Sequence, residues 1–299
     1  MEEINNRANW LGIDLQSSDA WIHYLTEAEI TEIEEALAFS EAKIDNLNCK
    51  TKNDFPLPEF SKMLAEMQIE LEEGLGLKLI RGFPTQRFSI DELRIIYWGL
   101  GLHIGTAVSQ SSRNDYLGDV RDFGTGLDGP KFRGYTSNGE LTYHVDAADI
   151  TGLFCLRPAK MGGMSRIVSS VAVHNEIQRT RLDLLKTLYE AFPWSMQGNE
   201  LPGTPGFYTQ PIFGLKDGYF ACRYTRTHIK SAELNPQIEN LSKTQNDALE
   251  LFDDICNRPK FQLTMMFKPG DMQFTFILYL AHSVAKASVN LTTLAFVIE

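Results

Sequence analysis

A chain of 299 residues with 43% hydrophobic residues is long enough to bury a sizeable core, as one large domain or two modest ones. The formal net charge of −11 and the absence of a clustered basic stretch argue against nucleic acid and anionic membranes as main partners. The chain starts with an acidic, polar segment and has no run of the roughly 18 to 20 apolar residues that a membrane span requires, so we expect a cytoplasmic protein.

The four cysteines point to the same compartment. Cys49, Cys155, Cys222 and Cys256 fall in no CxxC or zinc-type spacing. We therefore expect them to be buried free thiols, as is usual in a reducing environment.

Residues 1–75 are predicted to be mainly helical. Thr26 and Glu29 have the spacing of a capping box and precede an acidic amphipathic segment, and residues 57–75 carry a second amphipathic repeat. These helices are acidic on one face and apolar on the other. We expect the apolar face to pack on the rest of the domain.

The next helix also begins with a capping box. Ser89 and Glu92 open the segment DELRIIYWGLGLHIG. His103 lies at the end of this helix, beside glycines and without a neighbouring carboxylate. This context favours a packed histidine over a metal ligand.

From residue 76 onward the pattern changes to short strands. Residues 213–223 are typical of a hairpin that turns at Lys216-Asp217-Gly218, and the apolar spacing over about 171–192 predicts one inserted helix. The Pro/Gly-rich segment at 198–211 is predicted to be a loop. The composition fits a lid over the substrate and an ordinary surface loop equally well.

A histidine and an aspartate two residues apart close a strand-like run in the middle of the chain. His144 and Asp146 follow Glu140-Leu-Thr-Tyr, and alternation along a strand would turn both side chains to one face. With a distant histidine, such a pair forms the two-His-one-carboxylate triad that holds non-haem Fe(II) and leaves three coordination positions open. His282 is the only histidine near the C-terminus and lies in an apolar, strand-like context, so it is the candidate third ligand.

A second pair has the same spacing. His174 and Glu176 lie in the segment that is predicted to be the inserted helix. Residues two apart on a helix diverge by about 200°, so they cannot chelate one ion. The pair on the strand is the better candidate.

The candidate ligands constrain the fold. His144 and His282 lie far apart along the chain, and non-local strand pairing of the kind found in a jelly-roll barrel would bring them together. We therefore expect an α+β protein with a double-stranded β-helix (jelly-roll, cupin-like) core flanked by helices. The expected organisation is a single domain over residues 1–299, in which 1–75 pack on a core formed by 76–299.

Several short motifs occur in one order along the chain: RGFP, IYWGLGLHIGT, the strand that ends in HVD, RPAKMGGMSRIVSS, VAVHNEI, CRYTR, and KPGDMQF before a distal histidine. Over roughly Leu79 to Gln273 this order resembles the taurine dioxygenase (TauD/TfdA-like) family of Fe(II)- and 2-oxoglutarate-dependent oxygenases. The resemblance implies that His144, Asp146 and His282 bind the iron. It also implies that Ser165, in GGMS, contacts a carboxylate of the co-substrate.

The resemblance further implies the chemistry. Fe(II) would be the cofactor, with 2-oxoglutarate and O₂ as co-substrates, and a C–H bond of a small molecule would be oxidised with release of succinate and CO₂. An aspartate at position 146 disfavours halogenation, because radical halogenases of the family leave this position open for chloride.

One element of the family pattern is missing. The family carries an arginine roughly ten to twenty residues beyond the distal histidine, where it clamps the far carboxylate of 2-oxoglutarate. After His282 this sequence has Lys286 as its only cation. Three alternatives follow: Arg223 or Arg226, both expected on a hairpin strand, supplies the clamp; Lys286 supplies a single charge; or 2-oxoglutarate is not bound productively. For both arginines a surface ion pair is the competing role.

The substrate class is open within limits. Gln110, Asn138 and Arg157 are polar loop residues that could line a pocket for a small polar molecule, such as an amino acid or another small acid, although each also has a structural interpretation. The alternatives to an active oxygenase are a catalytically impaired metal- or ligand-binding homologue on the same fold and a metal-free scaffold. A homo-oligomer is compatible with the sequence.

Overall fold

The structure is a computed structural model and describes residues 2–41, 47, 50–110, 115–120, 140–146, 148–197, 203–284 and 292–298. The α-helices are α1 (Gly12–Gln16), α2 (Glu27–Glu41), α3 (Phe60–Glu73), α4 (Ile90–Ile104), α5 (Ser170–Thr180), α6 (Leu182–Leu188), α7 (Arg226–Ala232) and α8 (Lys243–Cys256). Among the helices of these ranges, none is long and apolar enough to cross a membrane.

Two sheets of non-consecutive strands form the centre of the molecule. The strands are β1 (Ile22–Tyr24), β2 (Leu77–Arg81), β3 (Leu117–Val120), β4 (Leu141–His144), β5 (Ile150–Arg157), β6 (Ser165–Ser169), β7 (Phe192–Ser195), β8 (Phe207–Gln210), β9 (Phe213–Lys216), β10 (Tyr219–Cys222), β11 (Leu263–Met265), β12 (Met272–Phe276), β13 (Leu280–Val284) and β14 (Thr292–Ile298). One sheet has the order β1-β2-β12-β5-β14-β3 and the other β11-β6-β13-β4, while β7-β8 and β9-β10 are separate hairpins. Apart from the parallel β1-β2 pair, neighbouring strands in the two sheets are antiparallel.

Alternating strand residues divide the core into layers. Leu79 and Cys155 of the first sheet meet Ile167 of the second between the two sheets. Phe154, next to Cys155, faces the other way and packs with residues of α3 and α4. Val168 likewise turns away from Ile167 and joins a third cluster with α5, α6 and α8. Two facing sheets built from distant strands, with helices on both outer faces, confirm the predicted α+β jelly-roll architecture.

The predicted helix starts are confirmed. Thr26 and Glu29 exchange hydrogen bonds at the start of α2. Ser89 and Glu92 do the same at the start of α4. Each pair satisfies backbone N–H groups that have no partner within the helix.

The predicted hairpin is also present. Lys216 pairs with Tyr219, and the two residues between them have positive φ, at 52° for Asp217 and 87° for Gly218. This conformation matches the two-residue turns whose twist suits antiparallel strands. The Lys-Asp-Gly signal therefore placed the turn correctly.

Two predictions in the middle of the chain are wrong in detail. The single helix expected over about 171–192 is two helices, because Arg181 leaves the helical conformation (φ −147°, ψ 67°) between α5 and α6. The break lets α6 pack on α8 while α5 also contacts α8. The predicted loop at 198–211 contains β8, which pairs with β7.

Candidate metal centre

Strand pairing brings the three predicted ligands together. His144 is the last residue of β4, and His282 lies in β13 directly opposite it in the antiparallel register. Asp146 follows two residues after His144. Residues 138 positions apart in the sequence are therefore neighbours on one face of the four-stranded sheet.

The potential ligand atoms converge. Asp146 places Oδ1 at 3.8 Å from Nε2 of His144 and Oδ2 at 3.8 Å from Nε2 of His282. The two imidazole centroids are 4.2 Å apart, with the rings inclined by 63°. One ligand atom from each of the three side chains lies within 4.8 Å of the other two.

Local hydrogen bonds orient this group. His144 donates from Nδ1 to the carbonyl oxygen of Thr142 (2.8 Å), which leaves Nε2 as the acceptor nitrogen at the centre. Thr151, in β5, donates its hydroxyl to Oδ2 of Asp146 (3.1 Å). Outer hydrogen bonds of this kind fix the orientation of metal ligands.

The electrostatics favour the protonation states that a metal requires. Burial disfavours the charged form of Asp146, but the neighbouring His282 and His144 and the hydrogen bond from Thr151 outweigh it, so the pKa of this carboxyl lies below its ordinary value. Burial, together with electrostatic repulsion from the neighbouring His144, lowers the pKa of His282 to about 4, against an opposing contribution from Asp146. At neutral pH the carboxylate is ionised and His282 is neutral, as metal binding demands.

The donor set fits Fe(II). Two imidazoles and one carboxylate on one side of an ion leave the remaining positions open, which is the pattern of non-haem Fe(II) oxygenases. Ligand atoms about 2.1 Å from an ion and at right angles lie roughly 3 Å apart. The three side chains therefore need shifts of only about 1 Å to close on an ion.

Ser165 lies in the same sheet. It is the first residue of β6, is buried, and pairs with Val284 of β13, two residues beyond His282. Residues two apart on a strand share a face, so Ser165 is on the face that carries His282.

The two candidate arginines lie in different environments. Arg223 follows β10 and donates a long hydrogen bond from Nη1 to the carbonyl oxygen of Val145 (3.4 Å). The prediction that Arg226 lies on the hairpin strand is wrong. It is the first residue of α7, where its Nη1 lies 3.7 Å from Oδ2 of Asp253. The chain leaves the hairpin at Cys222 and enters α7 at Arg226, so the two guanidinium groups have different partners.

Two of the remaining candidates, Gln110 and Arg157, are among the described residues. Gln110 donates from Nε2 to the carbonyl oxygen of Tyr116 (2.7 Å), and Arg157 is an exposed residue at the end of β5. Asn138 and Lys286 lie outside the described residues.

The alternative histidine pair has separate partners. His174 contacts Oδ1 of Asn175 (3.1 Å) and the hydroxyl of Tyr189 (3.0 Å). Glu176 forms ion pairs with basic side chains, including Arg258. His103 contacts the carbonyl oxygen of Phe55 (2.7 Å). These histidines are held by structural hydrogen bonds, as the sequence indicated.

A pocket of about 440 Å³ opens beside Asp146. Most of its wall comes from the two hairpins and the residues next to them, and the rest comes from the segments between β4 and β5 and between β12 and β13. The lining residues are Tyr208, Gln210, Pro211, Ile212, Gly214, Ala221, Cys222, Arg223, Asp146, Ala148 and Leu278. The volume is within the range of sites for small molecules. The sequence did not single out Tyr208 or Gln210 as pocket residues, although both lie in the segment considered as a substrate lid.

Comparison with known proteins gives consistent results. The model of the family described as "Taurine catabolism dioxygenase TauD, TfdA family" matches residues 43–283. FR-33289 synthase of Streptomyces rubellomurinus (strain ATCC 31215) is 33% identical over 280 residues, which cover 90% of this chain and 80% of the synthase.

Solved structures share the fold at low sequence identity. An asparagine oxygenase in complex with Fe(II), 2S,3S-3-hydroxyasparagine and succinate has a TM-score of 0.71 and 12% identity, and the match covers 93% of each chain. The non-haem iron oxygenase OrfP in complex with Fe and α-ketoglutaric acid has a TM-score of 0.66 and 12% identity, covering 93% of this chain and 94% of that chain.

Proposed function

Because the chain belongs to the taurine catabolism dioxygenase (TauD, TfdA) family, we propose that His144, Asp146 and His282 hold the iron of its active site. Family membership makes the chain a non-haem Fe(II)- and 2-oxoglutarate-dependent dioxygenase, which confirms the enzyme class and cofactors that the motif order predicted. The observation that supports the residue assignment is the convergence of one carboxylate and two imidazole nitrogens within 4.8 Å.

When bound with 2-oxoglutarate and O₂, Fe(II) would provide the chemistry that oxidises a C–H bond of the substrate, and succinate and CO₂ would be released. The protein's own residues position the reactants. Thr151 and the backbone oxygen of Thr142 orient Asp146 and His144. His282 is only 8% exposed, so its ring is shielded from bulk water.

We assign Ser165 to the far carboxylate of 2-oxoglutarate. Its hydroxyl is buried on the same face as His282 and two residues further along the neighbouring strand. A hydroxyl at this place can donate a hydrogen bond to a carboxylate that extends from the metal into the layer between the sheets.

The substrate that we propose is a small polar molecule, such as an amino acid or another small acid. The pocket beside Asp146 has room for a molecule of this size. Hydroxyasparagine in the asparagine oxygenase structure is a compound of the same class. We place the enzyme in the cytoplasm, because the three described cysteines are free and buried, as in a reducing compartment.

Anaerobic addition of Fe(II) and 2-oxoglutarate tests the site. The wild-type chain should develop a visible metal-to-ligand charge-transfer band, and His144→Ala should lose it. His23→Gln is the matched control, since His23 binds Glu29 (2.9 Å) at the start of α2. A wild-type chain without a band would contradict the proposal.

The competing function is a ligand-binding homologue without turnover. It is favoured by one feature of the sequence, since residues 283–299 contain no arginine. A panel of small acids in air separates the two functions. Succinate formation that depends on one of these acids supports the oxygenase, whereas a charge-transfer band without succinate supports the binding protein.

A further inference from the structure

Arg223 is the single cationic side chain among the described residues that line the pocket beside Asp146. Most of the pocket wall is uncharged and includes Tyr208, Ile212 and Leu278. A lone arginine in such a wall is suited to a ligand with one anionic group.

The backbone places Arg223 opposite a metal ligand. His144 forms an antiparallel bridge with Thr225, and the N–H of Val145 donates to the carbonyl oxygen of Tyr224 (2.6 Å). Continuing this register sets Arg223 across from Asp146.

The neighbouring residue fixes the direction of the side chain. Tyr224 is fully buried in the cluster on the outer side of the four-stranded sheet, where its ring stacks on Phe252 at 4.1 Å. Since successive side chains of an extended segment alternate, Arg223 points to the other side, toward the metal centre.

Neighbouring residues hold the guanidinium group of Arg223 in place, but several of its N–H donors remain available for a ligand. It lies 5.6 Å from the ring centroid of Trp194, which is fully buried, and its one described hydrogen bond is the long one to Val145. Among the described residues no carboxylate is within ion-pairing distance of Arg223, whereas Arg226 has Asp253. A guanidinium group carries five N–H donors, so several remain for an anion in the pocket.

Arg223 is on the wrong side of the centre to share a carboxylate with Ser165. Across the sheet the order is the segment at 223–225, then β4, β13 and β6. His144 and His282 lie in one row of paired residues across these strands. Along the strand direction, Ser165 lies two residues to one side of this row and Arg223 lies two residues to the other side. Three strand spacings and four residues amount to roughly 20 Å along the sheet. If Ser165 binds 2-oxoglutarate, Arg223 is left for another anion.

We propose that Arg223 binds the carboxylate or sulfonate-type group of the primary substrate. The substrate is therefore a small acid whose anionic group lies beside Asp146 and whose uncharged body lies against Tyr208, Ile212 and Leu278. Trp194 is a positioning residue that supports the guanidinium group from behind. This inference rests on the proposed function, because it takes the position of 2-oxoglutarate from Ser165.

The test uses the full chain, reconstituted anaerobically with Fe(II) and 2-oxoglutarate. Acetate and methanesulfonate serve as probes of planar and tetrahedral oxyanions, with sodium chloride holding the ionic strength constant. Binding is measured as the rise of the thermal unfolding midpoint up to about 100 mM probe, because a ligand of the native state raises its stability. The affinity for 2-oxoglutarate is measured separately from the charge-transfer band.

We expect at least one probe to stabilise the wild-type chain and Arg223→Gln to weaken its binding at least about tenfold, with partial recovery in Arg223→Lys. The affinity of Arg223→Gln for 2-oxoglutarate should stay within about twofold of wild type. Arg226→Gln, the matched control, should bind the probe like wild type.

Three outcomes would overturn the inference: no stabilisation of the wild-type chain by either probe, unchanged probe binding in Arg223→Gln, or a loss of 2-oxoglutarate binding in that variant, which would make Arg223 the clamp. Failure of the proposed function is distinguishable, since it appears as a missing band in the wild-type chain. Probe binding that still depends on Arg223 would then leave the oxyanion site intact.

Discussion

Replacing His282 by alanine should weaken Fe(II) binding by about 10²- to 10³-fold. The centre offers three ligand atoms, and this change removes one. Four-ligand zinc sites bind with about 10–16 kcal/mol, which is roughly 2.5–4 kcal/mol per ligand. Each 1.4 kcal/mol corresponds to about tenfold in affinity, which gives the expected range.

The same change also affects packing. His282 is 8% exposed and lies between β4 and β6, so truncation leaves a gap that should cost about 1–3 kcal/mol of stability. His282→Gln retains more of the side-chain volume. A loss of iron affinity common to both variants is therefore attributable to the missing ligand.

Anaerobic equilibrium dialysis with colorimetric iron determination gives the affinity directly. His174→Gln is the control, because His174 is also buried but contacts Asn175 and Tyr189. The assignment of His282 would be refuted if both of its variants kept an iron affinity within about threefold of wild type while His144→Ala lost it.

Two further predictions follow from hydrogen bonds and charge. Thr151→Val removes the hydroxyl that donates to Asp146 (3.1 Å) and should weaken iron binding about 10- to 100-fold in the same dialysis assay. Glu176 is partly desolvated, which opposes ionisation, but hydrogen bonds from Arg179 and Lys260 lower its pKa below its ordinary value of 4.5. Its stabilising effect is therefore complete above about pH 4.5 and is lost as the pH falls through the lowered pKa, so the unfolding midpoints of wild type and Glu176→Gln should differ above about pH 5 and converge in acid.

Each of these predictions has its own contrary result. Iron affinity unchanged in Thr151→Val, at an unchanged unfolding midpoint, would show that the hydroxyl does not orient the carboxylate. A midpoint difference between wild type and Glu176→Gln that widens in acid would reverse the assigned sign of the linkage.

Local features of the fold could be predicted from the sequence. The capping pairs at Thr26 and Ser89 act within one turn of helix, and the turn at Asp217-Gly218 depends on the backbone freedom of those residues. The order of motifs around the HVD segment identified the family. The spacing of His144 and Asp146 predicted that their side chains point to the same face of the strand. All these signals depend on residues close together in the chain.

Other features depended on contacts between distant segments. The spacing over 171–192 does not reveal the break at Arg181, since each half keeps a helical apolar pattern and packing of both helices against α8 selects the bend. The strand at 207–210 was missed because its Pro/Gly-rich surroundings are typical of loops, while pairing with β7 stabilises an extended conformation.

The two arginines show the same division most clearly. Arg223 and Arg226 have the same chemistry and lie three residues apart, so composition and spacing cannot separate them. Burial of Tyr224 turns Arg223 toward the metal centre, and Asp253 pairs with Arg226 at the start of α7. The sequence by itself determined the family, the local elements and the candidate ligands. Only the tertiary structure decided which distant side chains meet, because that depends on strand register and packing between segments that are far apart in the chain.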